Sequence, residues 1–239
     1  MQPTGGPRVL FIIPAFNERD SLASVVADLR GSFPDAELAV VDDGSTDDTA
    51  KVAAGLSVTV LRLPFNLGIG ATVQTGLIYA LRNGFDVAVQ FDGDGQHRAD
   101  QVPLLLAELE HADAVIGSRF LERNSYRASL WRRSGIFVFR IVNSILIGQT
   151  ITDNTSGFRA YGKPAIRFLA EDYPHDYPEP ESVITLCRAG FRVREVPVLM
   201  QERVAGRSSI GLFKSIYYMM KVLVAVGIGA TRSRARSQA

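Results

Sequence analysis

Short apolar runs alternate with amphipathic stretches through the first half of the chain. Arg8 to Ile13, Leu38 to Val41, Val58 to Leu63, Val87 to Phe91 and Ala114 to Gly117 each read as a buried strand closed by Gly, Asp or Asn. Between them, apolar residues recur at helical spacing in Leu22, Val25, Val26 and Leu29, in Val73, Leu77, Ile78 and Leu81, and in Val102, Leu105, Leu106 and Leu109. A shorter helix runs to Ala54, with Ser45 or Thr46 as its N-cap. Strands alternating with helices of this length predict right-handed βαβ units: an α/β fold with a largely parallel central sheet flanked by helices.

From about Tyr126 the pattern changes. Leu130 to Ile147 reads as a long apolar helix interrupted by Arg132, Arg133 and Arg140. Thr152 to Tyr161 is loop chemistry running into a strand, and Pro174 to Pro180 is a Pro- and acid-rich connection. Glu181 to Ala189 reads as a helix capped by Gly190, and Arg192 to Met200 as a strand broken by Pro197. Ile210 to Ala230 is apolar, with Lys214 and Lys221 seven residues apart on one face, and a basic tail at 231–239 is expected to be disordered. A membrane span needs about 20 consecutive apolar residues. Neither long stretch supplies them, and basic-apolar helices of this kind suit a membrane interface.

The polar residues that close the strands carry the chemistry. Glu18, Asp42 with Asp43, and Asp92 with Asp94 follow three of the predicted strands, so a parallel sheet places all of them on one rim. In open α/β sheets, ligands bind in the crevice outside the carboxyl ends of the strands. Asp92, Asp94 and Gln96 offer hard oxygen ligands suited to Mg²⁺ or Mn²⁺, ions that commonly bind substrate phosphates as well.

Composition narrows the field further. At 239 residues the chain supports one main domain, and a net charge of +1 argues against a dedicated nucleic-acid binder. The single Cys187 excludes an internal disulfide, and with three scattered histidines it forms no zinc motif. The apolar run at Val9 to Ile13 is too short for a signal-peptide core. Gly68-Ile69-Gly70-Ala71 lacks the third glycine of a dinucleotide fingerprint.

Taken in order, Pro14-Ala15-Phe16-Asn17-Glu18, Asp42-Asp43-Gly44-Ser45, Gly68-Ile69-Gly70-Ala71, Asp92-Gly93-Asp94-Gly95-Gln96-His97, Gly117-Ser118-Arg119 and Thr155-Ser156-Gly157-Phe158-Arg159 resemble the family 2 glycosyltransferases, specifically the dolichol-phosphate mannose synthase branch. The resemblance covers roughly Val9 to Ile210 and implies a GT-A fold. It implies a catalytic domain over 1–209, an amphipathic, membrane-interfacial helix over 210–230, and the tail at 231–239. It also implies that Pro14, Ala15, Phe16, Asn17, Glu18, Val40, Asp42, Asp43, Gly68, Ala71, Asp92, Gly93 and Asp94 bind a nucleoside diphosphate sugar. Asp92, Asp94 and Gln96 would hold Mg²⁺ or Mn²⁺, and Arg119, Arg133, Arg203 and Arg207 would hold phosphate. The catalytic set is then Asp92, Asp94, Arg119 and Arg203. One departure stands out: Ser209 occupies a position where the family usually has lysine, and Arg207 or Lys214 could supply that charge.

The implied reaction is inverting transfer of a hexose, from GDP-mannose or a UDP-hexose, to a polyprenyl phosphate for cell-envelope glycan or glycoprotein synthesis. A divalent metal would neutralise charge on the leaving diphosphate. A phosphate acceptor needs no general base, because its second pKa is about 6. A hydroxyl acceptor ordinarily does, and Asp153, Glu179 and Glu181 are candidates for that alternative within family 2. A remote alternative is an aspartate-nucleophile phosphatase, whose DxD normally follows the first strand. The expected location is cytoplasmic, peripheral on the inner face of the cell membrane. A small membrane-protein partner and self-association are both compatible with the apolar helices, and no nucleic-acid partner is expected.

Overall fold

The computed structural model describes residues 6–121, 151–175 and 177–201. Seven strands form one sheet: β1 Val9–Ala15, β2 Glu37–Asp42, β3 Thr59–Arg62, β4 Val87–Gln90, β5 Ala114–Ser118, β6 Arg159–Gly162 and β7 Val193–Pro197. Their order is β3-β2-β1-β4-β6-β5-β7. The β1–β2, β2–β3, β1–β4 and β5–β7 pairs are parallel, while β6 runs antiparallel to both β4 and β5. The largely parallel sheet is therefore as expected. The reversed strand within it is not legible locally, because pairing direction is set by how the chain returns rather than by the residues of the strand.

The helices are α1 Leu22–Ser32, α2 Thr49–Ala54, α3 Ile69–Arg82, α4 Val102–Glu108, α5 Lys163–Glu171 and α6 Pro178–Arg188. Covering helices explain why β1 and β2 are buried almost throughout, whereas the edge strands β3 and β7 are half-exposed. In α1 the buried stripe is Leu22, Val25, Val26 and Leu29, as the spacing predicts. In α3 the buried set is Gly70, Thr72, Val73, Gly76, Leu77 and Ala80, and Ile78 and Leu81 are half-buried. The reason is close approach. A Cβ on Gly76 would stand 2.3 Å from Ile12 Cγ2, so small residues let this helix lie tight on the sheet.

Three local expectations shift. α2 begins at Thr49, whose N–H donates to Asp47 Oδ1 (2.9 Å), while Ser45 and Thr46 bond Asn17 instead. α5 was not expected, although Ala165, Ile166, Leu169 and Ala170 form its buried face after Pro164 in the first turn. α6 starts at Pro178, three residues before Glu181, because proline suits a first helical turn. The predicted helices at 130–147 and 210–230 and the basic tail lie outside the described residues. Among the described residues, no helix is long and apolar enough to cross a membrane.

Candidate functional site

After β3 the chain returns to the far side of β1 to form β4, so the strand order reverses between β1 and β4. That switch point opens the crevice where ligands bind in such sheets. Three loops meet there through backbone hydrogen bonds: Asp43 N–H donates to Ala15 O (2.9 Å) and Gly93 N–H to Pro14 O (3.3 Å). The expected convergence of Glu18, Asp42/Asp43 and Asp92/Asp94 is thus observed.

Several residues of the first two loops hold backbone. Asn17 sits at φ +57°, in the left-handed region where asparagine is tolerated, and its Oδ1 accepts from Thr46 N (2.9 Å) and Asp47 N (3.3 Å). Asp43 accepts from Leu67 N (2.8 Å) and Gly68 N (3.0 Å), which fixes the entry to α3. Gly44, at φ +64°, lies against Phe65, where a Cβ would come within 2.5 Å of its carbonyl carbon. Glu18 accepts from Ser21 Oγ (3.0 Å), and the same hydroxyl lies 2.7 Å from Gly93 O.

Other predicted binders are placed as follows. Phe16 is exposed, while Pro14 and Ala15 are buried. Asp42 is fully buried: Oδ1 accepts from Ser45 N (3.0 Å), and Oδ2 carries no hydrogen bond and lies 3.4 Å from Arg62 Nε. Val40 is fully buried in the core. Gly68 caps α3 at φ +90°, and Ala71 lies in that helix's first turn, half-buried.

Asp92 leaves the end of β4 into the crevice. Burial first, and then the neighbouring charge of Asp94, push its carboxyl up to about 6, while Arg119 and Arg159 pull the other way. Asp94 Oδ1 accepts from Gln96 N (3.0 Å). Gln201, beyond β7, closes this loop from outside: its N–H donates to Gln96 O (3.0 Å) and its Nε2 to Gly95 O (2.8 Å). Sequence reasoning assigned Gln201 nothing, and no local signal marks it.

Arg119 and the 152–159 segment meet beside Asp92. Arg119 donates from Nε to Asp153 Oδ2 and from Nη2 to Asp153 Oδ1, both at 2.7 Å, and its Nη2 also reaches Thr155 Oγ1 (3.0 Å). Glu195 holds that turn by accepting from Thr152 N and Asp153 N, both at 2.7 Å, and burial raises its pKa. Gly157 lies against Asp92: a Cβ there would stand 2.6 Å from Oδ2 and 2.9 Å from Oδ1. Arg159 is buried, donating to Ser156 O, Ser182 Oγ and Asn154 O. Burial also raises the pKa of Glu179, which feels the charges of Arg159 and Asp92. Arg133, Arg203 and Arg207 lie outside the described residues.

The residues fit a hard divalent ion. Two acidic side chains crowd one strand end, and after burial the charge of Asp94 is what raises the pKa of Asp92. Among the described residues no group of three or more His, Cys, Asp or Glu is arranged around one point. Such a site would hold Mg²⁺ or Mn²⁺ by one or two carboxylates and complete it with substrate oxygens and water.

This architecture recurs in known transferases. The glucosyl-3-phosphoglycerate synthase of Mycobacterium tuberculosis, solved with Mn²⁺, UDP and glucosyl-3-phosphoglycerate, superposes with a TM-score of 0.68 at 23% identity, over 94% of this chain and 80% of that one. The fold is therefore GT-A-like. Residues 10–169 match the model of glycosyl transferase family 2. The chain is 33% identical over 214 residues to an undecaprenyl-phosphate mannosyltransferase of Micrococcus luteus, covering 85% of this chain and 87% of the relative. It is 32% identical over 216 residues to a polyprenol monophosphomannose synthase of Mycolicibacterium smegmatis, covering 85% and 81%. The chain belongs to glycosyl transferase family 2 and is a hexosyltransferase.

Proposed function

We propose that this enzyme transfers a hexose, with inversion, from GDP-mannose or a UDP-hexose to a polyprenyl phosphate. The observation that carries the donor half is the carboxylate pair Asp92 and Asp94 at the switch point, with Asp92 raised to about 6. These two would hold Mg²⁺ or Mn²⁺, with Gln96 beside them, and the bound ion would supply Lewis-acid neutralisation of the leaving diphosphate. The loops at 14–18 and 42–45 shape the base and ribose end.

The acceptor half rests on relatives named for polyprenyl-phosphate chemistry, which match over most of the chain. It also rests on the residues beside Asp92. There Asp153 fixes the guanidinium of Arg119, whose charge is felt at Asp92, and the ion pair engages one of the three candidate bases. By the resemblance, Arg133, Arg203 and Arg207 are the other candidates to hold phosphate. We read 1–209 as the catalytic domain and 210–230 as the helix that brings it to a membrane surface on the cytoplasmic side.

Transfer to a hydroxyl is the second reading, supported by Glu179, whose raised pKa suits a general base. Labelled GDP- and UDP-sugars, each with Mn²⁺ and either a short polyprenyl phosphate or a saccharide acceptor, test the choice. A mild-acid-labile lipid product that persists in Glu179→Gln supports the phosphate acceptor. No lipid product, with saccharide product lost in Glu179→Gln, refutes it. Asp94→Asn is expected to abolish transfer while the chain still unfolds cooperatively, and full metal-dependent activity would sink the metal assignment.

A further inference from the structure

We propose that His97 is a positioning residue, whose imidazole holds both the main chain and the carboxylate of Asp92 in the setting that receives the divalent cation. The inference rests on the metal-dependent reading above. Its starting point is that both ring nitrogens face one residue. Nδ1 accepts the Asp92 N–H at 3.0 Å, and Nε2 lies 3.5 Å from Asp92 Oδ2. An Nδ1 that accepts has no proton of its own, so the neutral ring carries its proton on Nε2, the nitrogen 3.5 Å from the carboxylate.

The ring cannot turn freely. It stacks on Phe158 at 4.7 Å between centroids and 18° between planes, and meets the edge of Phe91 at 5.3 Å and 86°. It is only 3% exposed. A ring needed for packing alone would be better served by phenylalanine, because burying two ring nitrogens costs free energy unless each finds a partner. Here Nδ1 accepts the Asp92 N–H, and Nε2 lies 3.5 Å from Asp92 Oδ2.

Phe158 and Gly157 are sequence neighbours, and this links the two sides of Asp92. The ring that orients His97 follows the glycine whose missing side chain leaves room for the carboxylate. Asp92 is thereby held between an imidazole edge and a bare backbone. Ligands of a metal are commonly oriented by such hydrogen-bonded neighbours, and losing one typically weakens metal affinity about 10- to 100-fold.

The test is Mn²⁺ binding to the full chain, read by the electron paramagnetic resonance of free Mn²⁺, with GDP and UDP each present in turn. His97→Phe keeps a ring on Phe158 and removes both nitrogens. It is expected to weaken Mn²⁺ about 10-fold or more, leaving metal-free GDP and UDP affinity and cooperative unfolding unchanged. His97→Asn offers an oxygen to the Asp92 N–H but is too short to reach the carboxylate, so an intermediate loss is expected. Wild-type Mn²⁺ affinity in His97→Phe overturns the proposal. Should that variant not fold, wild-type affinity in His97→Asn overturns it instead. A wild-type chain that binds no Mn²⁺ removes the metal reading itself, a different result from wild-type binding that the variants retain.

Discussion

Gly157→Ala separates the site from the fold. The added methyl would stand 2.6 Å from Asp92 Oδ2, 2.9 Å from Oδ1 and 3.1 Å from Cγ, and these are the three nearest atoms it meets. Two relaxations are open. The 155–158 segment can retreat, which strains the Gly117 N–H to Phe158 O hydrogen bond of 2.8 Å. Alternatively Asp92 can rotate, leaving its rotamer at about 0.5–1.5 kcal/mol and losing its place beside His97 Nε2. Rotation of a short side chain costs less than moving a segment tied into the sheet, so Asp92 is expected to yield. Overpacking of this kind costs about 1–3 kcal/mol, which the fold should survive. The chemistry should not: displacing a reacting or ligating group by about 1 Å can cost about 100-fold in rate. The assay pairs a urea titration with initial rates and Mn²⁺ affinity. Modest destabilisation with at least about 100-fold lower turnover is expected. Wild-type turnover and Mn²⁺ affinity would refute the argument that this glycine exists to admit the carboxylate.

Gly76→Ala is the contrasting control: the three atoms nearest its methyl would all be Ile12 side-chain atoms, so about 1–2 kcal/mol of net stability is expected to go, with Mn²⁺ affinity unchanged. Glu195→Ala strands the Thr152 and Asp153 N–H groups, and about 2–4 kcal/mol of loss in urea denaturation is expected, with a smaller loss for Glu195→Gln. The raised pKa of Asp92 has two consequences of opposite sign. Between its ordinary 3.8 and about 6 the metal-free folded chain keeps a proton the unfolded chain has released, so this group's contribution to stability falls as pH rises through that window. Mn²⁺ needs the carboxylate, so its affinity should rise through the upper part of the same window, by up to about tenfold per pH unit, and level off above about 6. An affinity flat from about pH 5 to about pH 7 would contradict this.

The periodicity of the chain determined β1 to β5, the α1 stripe, and the placement of Glu18, Asp42 and Asp92 at strand ends on one rim. Those features depend on residues near in sequence: burial alternates with the repeat of the helix, and Gly/Asp clusters stop strands wherever they occur. Six ordered motifs sufficed to suggest the family. What only the tertiary structure decided are contacts between distant segments. The antiparallel β6 enters between β4 and β5, bringing Gly157 onto Asp92 and Phe158 onto His97 from some sixty residues away. The helix α5 went unread because its buried face is short and follows Pro164. Asp43 and Asn17 look like ligand residues in the motif, yet in space they tie loops together. Arg119 stands in the motif as a phosphate-holding residue, and in space Asp153 grips it. Residue type and order reveal which groups are available, but a hydrogen bond depends on position to within a fraction of an ångström, and only the packed chain fixes that.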